Sequence, residues 1–177
     1  MSQADGTQSA DILVLHGSPG SGKTTVGNAM ADILRQAGVP HLLLEIDELE
    51  RIYPEDDPFI KWRILASIWP NYHPLGEIKV ILPVLIDTAE DLRQLRAAVP
   101  ARSVTICELW AGEAILHDRV TAREPNEFWQ SKLRGLVDKY GQRDAGQQFG
   151  DFRVPTDERS AESVAREILE HLGWMTT

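Results

Sequence analysis

The stretch DILVLHGSPGSGKTT, residues 11–25, decides the fold of this chain. Its first six residues, 11–16, are mostly aliphatic and predict a buried parallel strand. The apolar residues that follow the stretch recur at helical spacing as far as Ala37, and Gly38 is a natural C-terminal stop. The sequence therefore predicts a strand, a glycine-rich turn and a helix in immediate succession.

The glycine-rich turn fits G-x-x-x-x-G-K-[ST], the pattern of a phosphate-binding P-loop. Its glycines allow the backbone to approach a phosphate closely, so that successive N–H groups and the helix dipole face the anion. Lys23 supplies a charge for the β- and γ-phosphates, and the Thr24 hydroxyl is placed to hold Mg²⁺. We therefore predict that ATP with Mg²⁺ is bound by nine residues: Gly17, Ser18, Pro19, Gly20, Ser21, Gly22, Lys23, Thr24 and Thr25.

Composition limits the classes of partner. The chain has 177 residues, with 18 Lys and Arg against 27 Asp and Glu, and the net charge of −9 disfavours non-specific binding to nucleic acid or to an anionic membrane. Residues 1–10 are polar and lack the pattern of a signal peptide, so we expect a disordered tail there. The single cysteine, Cys107, lies in an apolar segment, which predicts a core thiol and excludes an intrachain disulfide. We expect a cytoplasmic enzyme.

Apolar strands alternate with helices along the rest of the chain, which predicts a parallel sheet covered on both faces. We end the third strand at Leu82, because Pro83 would disrupt a central ladder. The predicted strands are 11–16, 41–46, 78–82, 103–109 and 151–154, and the further helices are 88–98, 112–123, 126–140 and one that begins after Ser160. Thr88 and Asp91 have the spacing of a capping box, and helical periodicity predicts that Trp129 lies on the apolar face of helix 126–140. The fold class is α/β, a three-layer α/β/α domain over residues 11–177 with a five-stranded parallel sheet.

Three features together indicate the class of P-loop protein. The guanine-reading N-K-x-D pattern of GTPases is absent. The P-loop, the second-strand acids Glu45 and Asp47, and the segment LHDRVTAR at 116–123 together resemble the small P-loop kinases. This superfamily includes gluconate, shikimate and adenylylsulfate kinases and chloramphenicol phosphotransferase. The resemblance implies the P-loop kinase fold, with ATP and Mg²⁺ as cofactors, and does not specify a substrate.

The resemblance also implies roles for individual residues. Asp47 would position or deprotonate the acceptor hydroxyl, with Glu45 and Asp87 as further candidates for the Mg²⁺ shell. In the lid, Arg119 would lie against the adenine and Arg123 would reach the phosphates. Two alternatives stay open: Asp47 caps the next helix, and the two arginines belong to a solvated charged face.

Two regions are expected to complete the site. Residues 52–77 correspond to the acceptor-binding insertion of similar kinases, and residues 112–148 to the lid that closes over ATP. The insertion is rich in aromatic residues, and the seven-residue spacing of Trp62 and Trp69 is typical of a buried helix face. We therefore favour core packing for these two tryptophans, and an ordinary loop histidine at His73.

The sequence thus predicts an Mg²⁺- and ATP-dependent kinase that phosphorylates a hydroxyl of a small molecule. Its catalytic residues would be Lys23, Asp47 and Arg123, with Arg119 binding ATP. A nucleoside or nucleotide kinase is the nearest alternative, since Arg51, Lys61 and Arg63 are available for an acceptor phosphate. An ATP-binding regulatory protein with little turnover is the alternative from another class. We expect a monomer or a homodimer.

Overall fold

The computed structural model describes residues 10–50, 53–54, 57–72, 77–86, 88–141 and 150–175. In these residues five strands form one parallel sheet in the order β2-β3-β1-β4-β5. The strands are β1 (Ala10–His16), β2 (His41–Leu43), β3 (Ile78–Pro83), β4 (Ser103–Trp110) and β5 (Phe152–Pro155). The predicted parallel α/β fold is confirmed, and β1, which carries the P-loop at its carboxyl end, lies at the centre of the sheet.

Six α-helices accompany these strands in the described residues. They are α1 (Lys23–Gln36), α2 (Ile60–Ile68), α3 (Ala89–Ala98), α4 (Glu113–Arg123), α5 (Glu127–Gly141) and α6 (Ala161–His171). Short 3-10 helices lie at Asp47–Glu50 and Trp69–Asn71. None of the helices in this part of the chain is both long and apolar enough to cross a membrane.

The two faces of the sheet bury separate hydrophobic clusters, because alternate residues of a strand point to opposite faces. Leu13 and Leu15 of β1 pack in one cluster with α1 and α6. Ile12 and Val14 pack in the other, which contains residues of α2 and α3. The sheet is therefore the middle of three layers. Cys107 lies in the first cluster, as predicted, and burial raises the pKa of its thiol.

Helices α4 and α5 form a separate hairpin beside the P-loop. Leu116, Val120 and Val137 make a small apolar cluster between them. His117 Nε2 of α4 lies 2.8 Å from Asp138 Oδ1 of α5, which adds a polar contact between the two helices. The hairpin makes up most of the segment predicted as the lid, residues 112–148. Residues 142–149 lie outside the described residues.

The prediction that β3 ends before Pro83 was wrong. Pro83 belongs to the strand and pairs in register with Leu15 of β1. Val84 N–H donates to Leu15 O at 3.1 Å, so the nitrogen of Pro83 faces the opposite side, towards β2. There β2 has already ended, since its pairing stops at Leu43 with Ile81. The N–H that proline lacks is therefore not required by a neighbouring strand.

Other boundaries also differ from the predictions. β1 begins at Ala10, inside the predicted tail, and β2 ends at Leu43, although Leu44 N–H still donates to Ile81 O. Trp62 and Trp69 are buried in the core, as predicted. Trp129 was placed on the packed face of α5, but 43% of its surface is exposed, and it packs edge-on against the exposed Phe128.

Candidate active site

The P-loop backbone approaches its neighbours too closely for side chains. Gly17 has φ 147°, and a Cβ there would lie 2.4 Å from the carbonyl oxygen of Leu109. Gly20 has φ 83°, and a Cβ there would lie 2.9 Å from the carbonyl oxygen of Leu116 in α4. Both positions therefore require glycine. The loop is seated between the end of β4 and the α4–α5 hairpin, directly before the N-terminus of α1.

Two serine hydroxyls in the loop are buried without partners. Ser18 and Ser21 are both buried, and among the described residues neither Oγ atom has a hydrogen-bond partner. A buried hydroxyl that is left unsatisfied costs free energy, so these groups fit a ligand rich in hydrogen-bond acceptors. Together with the glycine-lined loop and the N-terminus of α1, they fit a phosphate chain.

Lys23 is the first residue of α1, and its side chain folds back over the loop. Its ammonium donates to Gly17 O at 2.8 Å and lies 3.4 Å from Ser18 O. Desolvation lowers the pKa of Lys23 from its ordinary 10.5 to about 8; Asp47 opposes this shift, while Arg123 and Lys61 add to it. Three charged side chains therefore act on the P-loop ammonium, and one of them is the predicted base.

Thr24 and Glu45 bring a hydroxyl and a carboxylate together beside the P-loop. Thr24 Oγ1 donates to Glu45 Oε2 at 3.2 Å, which joins the start of α1 to the chain just after β2. A hydroxyl beside a carboxylate suits Mg²⁺, which prefers hard oxygen donors and keeps several waters. The donor set therefore fits the ion. The third candidate, Asp87, lies outside the described residues.

Asp47 follows β2 at the carboxyl edge of the sheet, where ligands bind in open α/β folds. It is the first residue of a 3-10 helix, and its side chain is 37% exposed. Its Oδ1 lies 3.5 Å from the ammonium of Lys61 in α2. A partly exposed carboxylate thus lies at the carboxyl edge of the sheet, paired with Lys61 and close enough to Lys23 to act on its pKa.

Arg119 is bound to the P-loop through its guanidinium. It donates to Gly20 O at 3.2 Å, to Thr156 Oγ1 at 3.0 Å and to Thr156 O at 2.8 Å. Thr156 is itself buried, and its N–H donates to Trp110 O. The residue therefore does not belong to a solvated charged face. It joins the P-loop to the segment between β5 and α6.

Arg123, one turn further along α4, differs from Arg119 in its surroundings. It is exposed, yet it is close enough to Lys23 to lower the pKa of that lysine. The α4–α5 hairpin therefore presents one fixed and one exposed arginine to the loop, which fits a pair with separate roles.

Solved structures with a similar fold include kinases of small molecules. APS kinase CysC of Mycobacterium tuberculosis, in complex with AMPPNP and APS, is 18% identical, with 94% of this chain and 99% of that chain covered and a TM-score of 0.63. A gluconokinase of Sinorhizobium meliloti 1021 is 20% identical, covering 96% and 98%, with a TM-score of 0.57. Shikimate kinase of Acinetobacter baumannii, in complex with shikimate, is 20% identical, covering 94% and 95%, with a TM-score of 0.55.

The chain has the P-loop kinase fold. No protein-family model matches its sequence, and no curated protein matches it. At these low identities the likeness extends to the fold alone. It confirms the predicted fold class, and the structural neighbours are small-molecule kinases.

Within this P-loop kinase fold, sequence reasoning missed the place of two residues. Lys61 was considered only as one of several cations in the insertion, and its pairing with Asp47 was not foreseen. His16 closes β1 and is buried, and its Nδ1 accepts a hydrogen bond from Ile86 N–H at 3.1 Å. A charged or polar residue inside a segment that otherwise predicts a buried helix or strand was the available signal for both.

The other predicted residues either have a different partner or lie outside the described residues. Arg63, proposed for an acceptor phosphate, forms an ion pair with Asp57 in the described residues. Arg51 and His73 lie outside the described residues. Of the two cations in this group that the structure describes, Lys61 is paired with Asp47 and Arg63 with Asp57.

Proposed function

We propose that the protein is an Mg²⁺- and ATP-dependent kinase that transfers the γ-phosphoryl group to a hydroxyl of a small molecule. The observation that carries this proposal is that the P-loop follows β1 and Asp47 follows β2 at the same carboxyl edge of one parallel sheet, with Asp47 close enough to act on the pKa of Lys23. This arrangement supports a role for the carboxylate near the terminal phosphate, where an acceptor hydroxyl has to arrive. The kinase neighbours support the same class of reaction.

The proposed nucleotide site follows from the groups already described. The loop N–H groups, the hydroxyls of Ser18 and Ser21, and the ammonium of Lys23 bind the phosphates. Arg119 presents its guanidinium to the adenine from its fixed position beside Thr156. Thr24 and Glu45 would hold Mg²⁺, which would supply positive charge to the phosphates.

The chemical step is an in-line transfer. The acceptor oxygen forms a bond to the γ-phosphorus while the bond from that phosphorus to the β–γ bridging oxygen breaks, and ADP leaves. The proton of the acceptor hydroxyl goes to the carboxylate of Asp47. Lys23 and Arg123 stabilise the negative charge of the transferring group. If Asp47 instead caps the next helix, the rate of transfer should not depend on its carboxylate.

A screen of acceptors tests the proposal. Purified protein with MgATP is incubated with sugars, sugar acids, amino alcohols, nucleosides and nucleotides. ADP release is scored, and each hit is confirmed by the mass of the phosphorylated product. Lys23→Ala is the matched control and should abolish the signal. Hits confined to nucleosides or nucleotides would favour the nucleotide-kinase alternative. Firm ATP binding with no transfer to any acceptor or to water would contradict the proposal and favour an ATP-binding regulatory protein.

A further inference from the structure

A buried lysine of α2 faces the proposed base. The side chain of Lys61 is 7% exposed, and its ammonium lies 3.5 Å from Asp47 Oδ1 and 5.3 Å from the centre of the Trp62 ring. The side chain of Asp47 is 37% exposed, so the ammonium of this ion pair is buried while the carboxylate is in contact with solvent. In the described residues, Asp47 Oδ2 has no hydrogen-bond partner, which leaves this oxygen available at the open edge of the sheet.

Helix α2, which carries Lys61, is held in place by hydrogen bonds to α3. Trp62 is buried, and its Nε1 donates to Asp91 Oδ1 at 3.2 Å. Asp91 also accepts from Thr88 N–H at 2.9 Å, in the capping box of α3. Through these bonds α2 is held against α3, and the ammonium next to Trp62 is held at the 3-10 helix that Asp47 begins. A side chain with such support can set the geometry of its partner.

Stability alone does not favour a lysine at this position. Removing an ammonium from water is costly, so a buried ion pair with a partly solvated carboxylate is weak evidence for a stabilising role. A methionine has a similar length and carries no charge to desolvate. Lys61 also acts on Lys23, whose pKa it helps to lower, so it lies within electrostatic reach of the phosphate site.

We propose that Lys61 is a positioning residue for the phosphoryl transfer: it binds Oδ1 of Asp47 and so directs Oδ2 towards the acceptor hydroxyl. The inference rests on the proposed kinase function and adds a residue that acts through the base. Lys61 itself takes no proton and contacts no phosphate. Its substitution should therefore change the rate of transfer and leave ATP binding nearly unchanged.

The test compares Lys61→Met with a matched control, Lys79→Met. Lys79 also pairs with an aspartate, Asp11, at 2.7 Å, and lies over a tryptophan ring, that of Trp174, at 5.5 Å. That pair lies at the amino ends of β1 and β3, far from the carboxyl edge. We expect Lys61→Met to lower kcat by about 10- to 10²-fold, the range for a misplaced catalytic group. The melting temperatures of both variants should show that they remain folded, and Lys79→Met should keep the wild-type kcat.

A double-mutant cycle with Asp47→Asn separates positioning from other roles. If Lys61 acts through Asp47, then Lys61→Met should have little further effect on kcat in the Asp47→Asn background. An equal loss in both backgrounds would overturn the inference and indicate that Lys61 acts on its own, for example as an anchor for an anionic acceptor. A wild-type kcat in Lys61→Met would overturn it as well.

The assay is chosen so that two failures can be told apart. Transfer is measured to an acceptor found in the screen and also to water, as phosphate release without acceptor, while binding of a fluorescent ATP analogue is followed separately. If the wild type binds the analogue and transfers phosphate to neither, the proposed function fails and this inference fails with it. If the wild type turns over and Lys61→Met matches it, only the role of Lys61 is contradicted.

Discussion

The lowered pKa of Lys23 predicts that ATP binding takes up a proton under mildly alkaline conditions. The ammonium of the free protein is desolvated, and its pKa of about 8 lies well below the ordinary 10.5. Phosphate oxygens favour the charged form, so the nucleotide should raise the pKa of this lysine again. Above about pH 8 the free protein has lost a proton that the complex retains. Binding must therefore weaken as the pH rises.

The magnitude follows from linkage. A difference between 10.5 and about 8 corresponds to about 3 kcal/mol between the two protonation states. At one pH unit above the pKa, about 90% of the free lysine is neutral, so the affinity at pH 9 should be about tenfold below that at neutral pH. The stability of the free protein should change in the opposite direction. Because the unfolded chain keeps this proton up to about pH 10.5, folding stability from this group rises between about pH 8 and pH 10.5.

Isothermal titration calorimetry at pH 9 in two buffers of different ionisation enthalpy measures this proton directly. We expect uptake of nearly one proton per ATP analogue at pH 9. Lys23→Arg is the matched control, because arginine stays charged and should abolish the additional uptake whatever its own affinity. Equal affinity at pH 7 and pH 9, with no difference in proton uptake between wild type and Lys23→Arg, would refute the reasoning.

The parts of the fold that the sequence predicted depend on contacts between near neighbours in the chain. The capping box of α3 joins Thr88 to Asp91, three residues away, and is formed as expected. Gly38 has the positive φ of a helix stop, 69°. Pro83 was assigned wrongly because its effect depends on which strand ends beside it. That neighbour, β2, is contributed by residues some forty positions earlier.

The sequence predicted the candidate-site residues that belong to one continuous motif. It missed the contacts that tertiary packing creates between distant parts of the chain. The P-loop glycines and Lys23 belong to one continuous segment. By contrast, Lys61 meets Asp47 across 14 residues, and Arg119 meets Thr156 across 37. Periodicity placed Trp129 on the apolar face of α5, but the α4–α5 cluster is small and stops at Leu116, Val120 and Val137 with their neighbours, so Trp129 remains partly exposed. Neither the contacts between distant residues nor the extent of this cluster can be predicted from the neighbouring residues in the sequence.

Three further predictions concern the proposed roles. Thr24→Ala and Glu45→Gln should each weaken Mg²⁺-dependent ATP binding, measured by titrating Mg²⁺ with a fluorescent ATP analogue, whereas binding without Mg²⁺ should change little. Arg123→Ala should lower kcat by about 10²-fold or more, and Arg119→Ala should mainly raise KM for ATP; unchanged steady-state kinetics in both variants would contradict both proposed roles. Asp47→Asn should cut transfer by about 10²- to 10⁴-fold and leave ATP affinity within a few-fold, since it removes a base and keeps the shape. A helix cap predicts a different result, because asparagine caps nearly as well as aspartate and both rate and melting temperature would survive. Turnover, ATP affinity and melting temperature of this one variant therefore separate the two roles, and near-wild-type turnover would require that the base be sought at Glu45 or Asp87.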